Sequence, residues 1–159
     1  MKIGIIVHSQ TGNTLLVGEK LLEKLRTDGH EVTLTRMQNI GDPSATQNPK
    51  DIELDSMPEV TGYDALIFGA WVQAFNLCPG FSKYLKQLPE IERKHVSCFV
   101  TQQFRYKWMG GSFALSKMKK LLAEKGVKVS SSGVINWSNK KKEQQIDELV
   151  ARFSGQYEA

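Results

Sequence analysis

Six consecutive residues, Ser9-Gln10-Thr11-Gly12-Asn13-Thr14, carry the most specific chemistry in this chain. Hydroxyls, amides and one glycine follow an apolar run at 3–7 and precede a helical pattern. Backbone N–H groups and the positive end of a helix dipole therefore converge on one point. Such a point suits a phosphate. The same residues could serve only as a helix cap, since Thr and Asn cap helices with no ligand present. Capping needs one such side chain, and four of the six have the right chemistry, which favours the anion site.

What the loop lacks narrows its use. A nucleotide-triphosphate loop ends in Gly-Lys-Ser/Thr, and no lysine is present; a dinucleotide fingerprint needs three spaced glycines, and only Gly12 is available. A phosphorelay receiver would carry acids at the end of its first strand, where this chain has His8 and Ser9. A phosphatase of similar layout would place a cysteine and an arginine around the phosphate, and the loop holds neither. The loop holds a phosphate by neutral hydrogen bonds without attacking it, which describes a cofactor anchor.

The elements that must position this loop alternate between strand and helix patterns. Residues 2–8 are β-branched and apolar; residues 14–26 repeat apolar side chains at Val17, Leu21, Leu22 and Leu25 before Asp28-Gly29 stops the helix. Strands follow at 31–37, 65–70 and 95–101, the second nearly all apolar, as buried central strands are. Pro79 opens a helix with apolar residues at Phe81, Tyr84, Leu85 and Leu88, and Pro89 closes it. A longer helix is expected over 111–125, burying Ala114, Met118, Leu121 and Leu122. A fifth strand is expected over 127–136, and a last helix capped by Ser138 or Asn139. Five strands alternating with helices imply parallel pairing through right-handed crossovers, an α/β three-layer sandwich. Residues 38–64 have no clear helical period and read as an irregular excursion, with a short turn of helix near 52–56.

The 159 residues suit a single domain over 1–159, with 40% hydrophobic and 24% charged residues. No stretch approaches the roughly 20 apolar residues of a membrane span, and no secretory signal is visible, so the expected location is cytoplasmic. Cys78 and Cys98 suit reduced thiols. Net charge is +4 and unevenly spread: residues 1–80 carry 6 Lys and Arg against 10 acids, residues 81–159 carry 15 against 7. His8, His30 and His95 stand isolated, which gives no metal site. Nucleic-acid binding would rest on Lys140-Lys141-Lys142 alone, better read as a solvated surface.

The pattern Ser9-x-Thr11-Gly12-x-Thr14 after a first strand resembles the FMN phosphate loop of flavodoxins, and the order of elements resembles that family along the whole chain. The resemblance implies a flavodoxin-like fold with strand order 2-1-3-4-5 and non-covalent FMN. It implies that Ser9, Thr11, Asn13 and Thr14 hold phosphate oxygens by side chain, while Gln10 and Gly12 offer backbone N–H groups. The ring would meet two loops: Ala70, Trp71, Val72, Gln73, Ala74 and Phe75 after the third strand, and Thr101, Gln102, Gln103, Phe104, Tyr106 and Gly110 after the fourth. Classical flavodoxins are acidic, whereas this chain has a pI near 9.0. Two activities stay open: electron transfer through FMN to a redox partner protein, or NAD(P)H-dependent reduction of a quinone, flavin or similar small acceptor. Arg105 and Lys107 could attract an anionic substrate or simply face solvent. Catalytic residues are not assigned, and self-association stays open.

Overall fold

The computed structural model describes residues 1–41, 51–91, 95–106 and 108–157. Five strands, β1 (Lys2–His8), β2 (Glu31–Met37), β3 (Ala65–Gln73), β5 (His95–Gln102) and β6 (Ser131–Asn136), form a parallel sheet in the order β2-β1-β3-β5-β6. Counting only these five, this is the expected 2-1-3-4-5. A two-residue strand β4 (Asn76–Leu77) pairs antiparallel with the end of β3. Helices α1 (Asn13–Thr27), α2 (Pro79–Gln87), α3 (Gly111–Ala123) and α4 (Lys142–Gly155) complete the sandwich.

Alternation along the strands sends side chains to two separate cores. Phe68, Cys98 and Val100 pack beneath α2 and α3 with Phe81, Tyr84, Met118 and Leu122. Ile5, Ile67 and Phe99 pack beneath α1 and α4 with Val17, Leu21, Ile146, Leu149 and Phe153. Burying side chains of this size gives roughly 1.5–3 kcal/mol each, so a strand apolar on both faces is pinned in the middle of the sheet.

Most boundaries agree with the sequence reading to within two residues, and the larger differences have physical reasons. β3 runs three residues further, to Gln73, because its end turns back on itself as a hairpin instead of dissolving into a loop. β6 starts at Ser131, four residues late: Val127 is buried in the α2/α3 core, and pairing begins only where Ser131 meets Ser97. α4 starts at Lys142; Asn139 accepts a hydrogen bond from the Lys141 N–H and so shapes the turn before the helix without capping it. The short helical turn expected near 52–56 is not carried by those residues: Asp51 just before them is in a 3-10 turn, and Leu54 makes an isolated antiparallel bridge to Asn39. The remainder of that excursion, residues 42–50, lies outside the described residues. Among the described residues no helix is long and apolar enough to cross a membrane.

Both cysteines are free and buried, and loss of water pushes each thiol up to about 12. Since the thiolate is the nucleophile, the native chain at pH 8 is expected to react with a disulfide reagent such as DTNB at least 100-fold more slowly than the chain in denaturant, which should release two equivalents at once.

Candidate cofactor site

β1 ends at His8, and the next five residues reach the first residue of α1. Gly12 is the helix N-cap and sits at φ 102, a left-handed conformation that glycine adopts without cost. Ser9 Oγ accepts the N–H groups of Gly12 and Leu15, both at 3.2 Å. Its two lone pairs are then used and its O–H remains to donate. The backbone N–H groups of Thr11, Asn13 and Thr14 bond to no described residue, the last two as expected of the first turn of a helix. Thr14 and Thr101 share a hydroxyl hydrogen bond of 2.8 Å in the interior, which ties the loop to the end of β5 and still leaves one of the two protons unused. Behind the loop, Arg36 of β2 donates from Nε to the Ser9 carbonyl at 3.0 Å and from Nη2 to the Gln10 carbonyl at 3.4 Å. A fixed cation therefore backs the free N–H groups.

Three chain segments converge on a hollow of about 160 Å³ lined by Thr11, Asn13, Trp71, Val72, Thr101, Gln102 and Gln103. Gln102 is held firmly: its Nε2 donates to the Tyr106 carbonyl at 2.7 Å and to Asn136 Oδ1 at 2.6 Å. Its Oε1 is buried without a hydrogen-bond partner among the described residues. Gln102 thus lines the hollow while its orphaned oxygen is closed off from it, and a ligand donor could reach that acceptor only if the wall shifts.

Beyond the hollow the β3–β4 hairpin turns on Ala74 (φ 50) and Phe75 (φ 64). Two left-handed residues make a type I′ turn, usually given to Asn-Gly; holding Ala and Phe there costs about 1 kcal/mol or more each. The Phe75 ring stacks on Phe104 at 4.8 Å with 7° between planes, and Tyr106 stacks on Trp108 at 6.0 Å. With Gly110, Met109 and Phe113, the hairpin tip borders a second, open hollow of about 510 Å³.

The expected site residues thus separate into three sets and a remainder outside them. Thr11, Asn13, Trp71, Val72, Thr101, Gln102 and Gln103 share one hollow; Ala74, Phe75 and Gly110 line its neighbour. Ser9, Gln10, Gly12 and Thr14 build the loop from behind. Ala70 is fully buried in the core, Gln73 is half-buried at the hairpin, and Phe104 and Tyr106 are exposed in their stacks.

Sequence reasoning missed a part-buried chain of hydrogen bonds centred on the buried His8. The Trp71 indole donates to His8 Nδ1 at 2.9 Å, so Nδ1 bears no proton; His8 Nε2 then donates to Asn39 Oδ1 at 2.8 Å. The Asn39 N–H donates to Gln10 Oε1, also at 2.8 Å. Burial lowers the His8 pKa below its ordinary value, against the opposing pull of Asn39 and Asp55. His8 looked isolated because its partners lie 63 and 31 residues away. Only the β1–β2 register, which sets His8 beside Met37, brings Asn39 near.

No protein-family model matches the sequence, and no curated protein does. Solved structures match over nearly the full length. Flavodoxin 2 from Bacillus cereus is 18% identical with a TM-score of 0.68, covering 99% of this chain and 100% of that one. Oxidised flavodoxin 1 from the same organism is 15% identical at 0.68, covering all of both chains. The chain has the flavodoxin-like fold. Two-electron reduced Megasphaera elsdenii flavodoxin is similar in the same way, with 18% identity, a TM-score of 0.61 and coverage of 96% and 98%. In a flavodoxin-like sheet, as in other open parallel sheets, ligands bind beyond the carboxyl ends of the strands where the strand order reverses. Here that place lies between β1 and β3, where the hollow opens.

Proposed function

We propose that this chain is an FMN-binding electron carrier of the cytoplasm, folded as one domain over 1–159. The observation that carries the reading is the convergence of three parts on one hollow: free N–H groups at the head of α1, the end of β3 with its Trp71, and the end of β5 with the orphaned Gln102 oxygen. Thr11 and Asn13 hold the phosphate with those N–H groups, helped by the remaining protons of Ser9 and Thr14. Gln102 accepts from an N–H on the ring's polar edge, and Trp71 and Val72 supply an apolar wall. When bound, FMN supplies one- and two-electron redox chemistry, and the protein's part is to place it, exclude water and tune its surroundings.

The hollow is smaller than the roughly 300–1,000 Å³ of ligand pockets, so binding requires a wall to give. The stacked pair Phe75 and Phe104 joins the strained hairpin to the β5–α3 loop, both of them exposed, and this is the part that parts. The partner reading follows from the rim. Trp108 is 74% exposed and Phe113 64%, an apolar patch of the kind that marks a docking surface. Asn139 Nδ2 donates to the Arg105 carbonyl, bringing the turn with Lys140, Lys141 and Lys142 beside it. Arg105 and the three lysines of that turn give this edge four cations close together in the fold. A partner protein with an acidic face fits this edge. The same positive rim favours a second reading, in which the edge admits NAD(P)H and the chain reduces a small acceptor.

Anaerobic titration of the purified chain loaded with FMN tests both. On the carrier reading NADH and NADPH leave the flavin absorbance near 450 nm unchanged for minutes, a value roughly set by the cofactor's own electronics, while dithionite bleaches it. Rapid bleaching by NADPH alone establishes the reductase, and failure to retain any FMN defeats both readings.

A further inference from the structure

Trp71 forms a wall of the hollow, half-buried near the end of β3 with part of its side chain packed against the α2/α3 core. One polar contact fixes it: the N–H bond to His8 Nδ1. We propose that His8 is the positioning residue that locks Trp71 to the phosphate loop, and that protonation of His8 releases Trp71 and weakens the hold on the cofactor. The proposal rests on the FMN reading for its second half only.

The argument turns on which ring nitrogen does what. An imidazole has one acceptor, and here Trp71 uses it; the opposite nitrogen donates to Asn39, whose own N–H reaches Gln10 in the loop. The chain of bonds therefore links the wall of the ring site to the phosphate loop through a single side chain. An added proton must go to Nδ1. Two N–H groups would then face each other across 2.9 Å, so the Trp71 bond is lost while the Asn39 bond survives. Acid thus frees the wall and leaves the loop intact.

The surroundings set the range in which this occurs. His8 is fully buried, with Phe81 edge-on at 6.5 Å and Trp71 at 6.3 Å. The first turn of α2 presses on it: a Cβ added at Gly80 would come within 2.8 Å of His8 Nε2 and 2.4 Å of Asn39 Oδ1. The positive end of that helix opposes an imidazolium. Of the charged side chains, Arg36 from β2 acts in the same direction, and Asp55 from the excursion acts against it. Burial outweighs Asp55, which keeps His8 neutral at pH 7. The native pKa thus lies below the unfolded value of about 6.5. As pH falls below about 6.5 the unfolded chain takes the proton first, and stability drops with it until the native pKa is passed.

The test follows the indole N–H of Trp71 by ¹⁵N NMR in the ligand-free chain, identified as the signal missing from Trp71→Phe, between pH 7.5 and 4.5. The expected result is a slowly exchanging signal at neutral pH that moves and exchanges faster as His8 titrates below pH 6.5. A signal unchanged down to pH 4.5 in folded protein overturns the proposal. FMN affinity, read from quenching of FMN fluorescence, should fall more steeply in wild type than in His8→Gln across the pH range in which the Trp71 signal moves, since the glutamine amide can accept from Trp71 and donate to Asn39 without titrating. That comparison subtracts the titration of the phosphate itself. Trp71→Phe should show the same flattened profile as His8→Gln, and an unflattened profile in both variants overturns the coupling to the cofactor. Should wild type bind no FMN at any pH, the cofactor reading fails while the indole signal still decides whether His8 holds Trp71.

Discussion

Alanine at both Thr11 and Asn13 is expected to weaken FMN binding by about 100-fold or more while changing the melting temperature little. Neither side chain hydrogen-bonds to a described residue, Thr11 is exposed, and Asn13 opens α1 at a position where alanine is an excellent helix former. The fold therefore loses almost nothing. The phosphate loses two donors to a charged group, each worth about 1.5–3 kcal/mol, and keeps the backbone N–H groups that the substitution leaves untouched. Riboflavin, which lacks the phosphate, supplies the control: its affinity should be weak and equal in wild type and variant. Calorimetric titration with both ligands checks this. Equal loss for riboflavin would mean that the loop acts through the ring, and no loss for FMN would remove the phosphate from this loop.

How far the sequence could lead is clearest at the two ends of β3. Its buried part was legible from composition, because residues apolar on both faces have no place except the middle of a parallel sheet. The helices were legible for a similar reason: Val17, Leu21 and Leu25, or Phe81, Tyr84 and Leu85, fall on one face and share one core. The far end of β3 was not legible. Ala74-Phe75 gives none of the Asn-Gly chemistry that announces a type I′ hairpin, and only packing against the head of α3 accounts for its taking that shape. The loop 9–14 could be read as an anion site because its geometry is local, set by residues adjacent in the chain. The network through His8 could not, because a hydrogen bond between residues 63 apart exists only once β1 and β3 are paired. The division of labour inside the loop was equally hidden. Ser9 and Thr14 were expected to hold phosphate oxygens by side chain, and the structure shows both hydroxyls engaged within the protein, holding the turn and binding it to β5.

The packing of that hairpin leads to the other large expected effect, for Gly110→Ala. Gly110 is the N-cap of α3 at φ 116, and a Cβ there would lie 2.8 Å from Phe75 Cα and 3.1 Å from its carbonyl oxygen. Two costs add: a left-handed conformation unsuited to alanine, about 1 kcal/mol, and a collision with backbone, about 1–3 kcal/mol. The melting temperature should fall by roughly 5–15 °C. Gly126→Ala separates the two costs, since Gly126 is also left-handed (φ 82) but an added Cβ meets nothing within 4 Å; strain alone should cost it about 1 kcal/mol. The collision at Gly110 has a cheap way out, because the backbone it strikes is the turn already strained at Ala74 and Phe75. Opening that turn relieves both stresses and pulls Phe75 from its stack on Phe104. Gly110→Ala should therefore also raise the rate at which FMN leaves, whereas Gly126→Ala should not. Stopped-flow displacement of bound FMN would measure this, and equal release rates in the two variants would show that the hairpin does not guard the hollow.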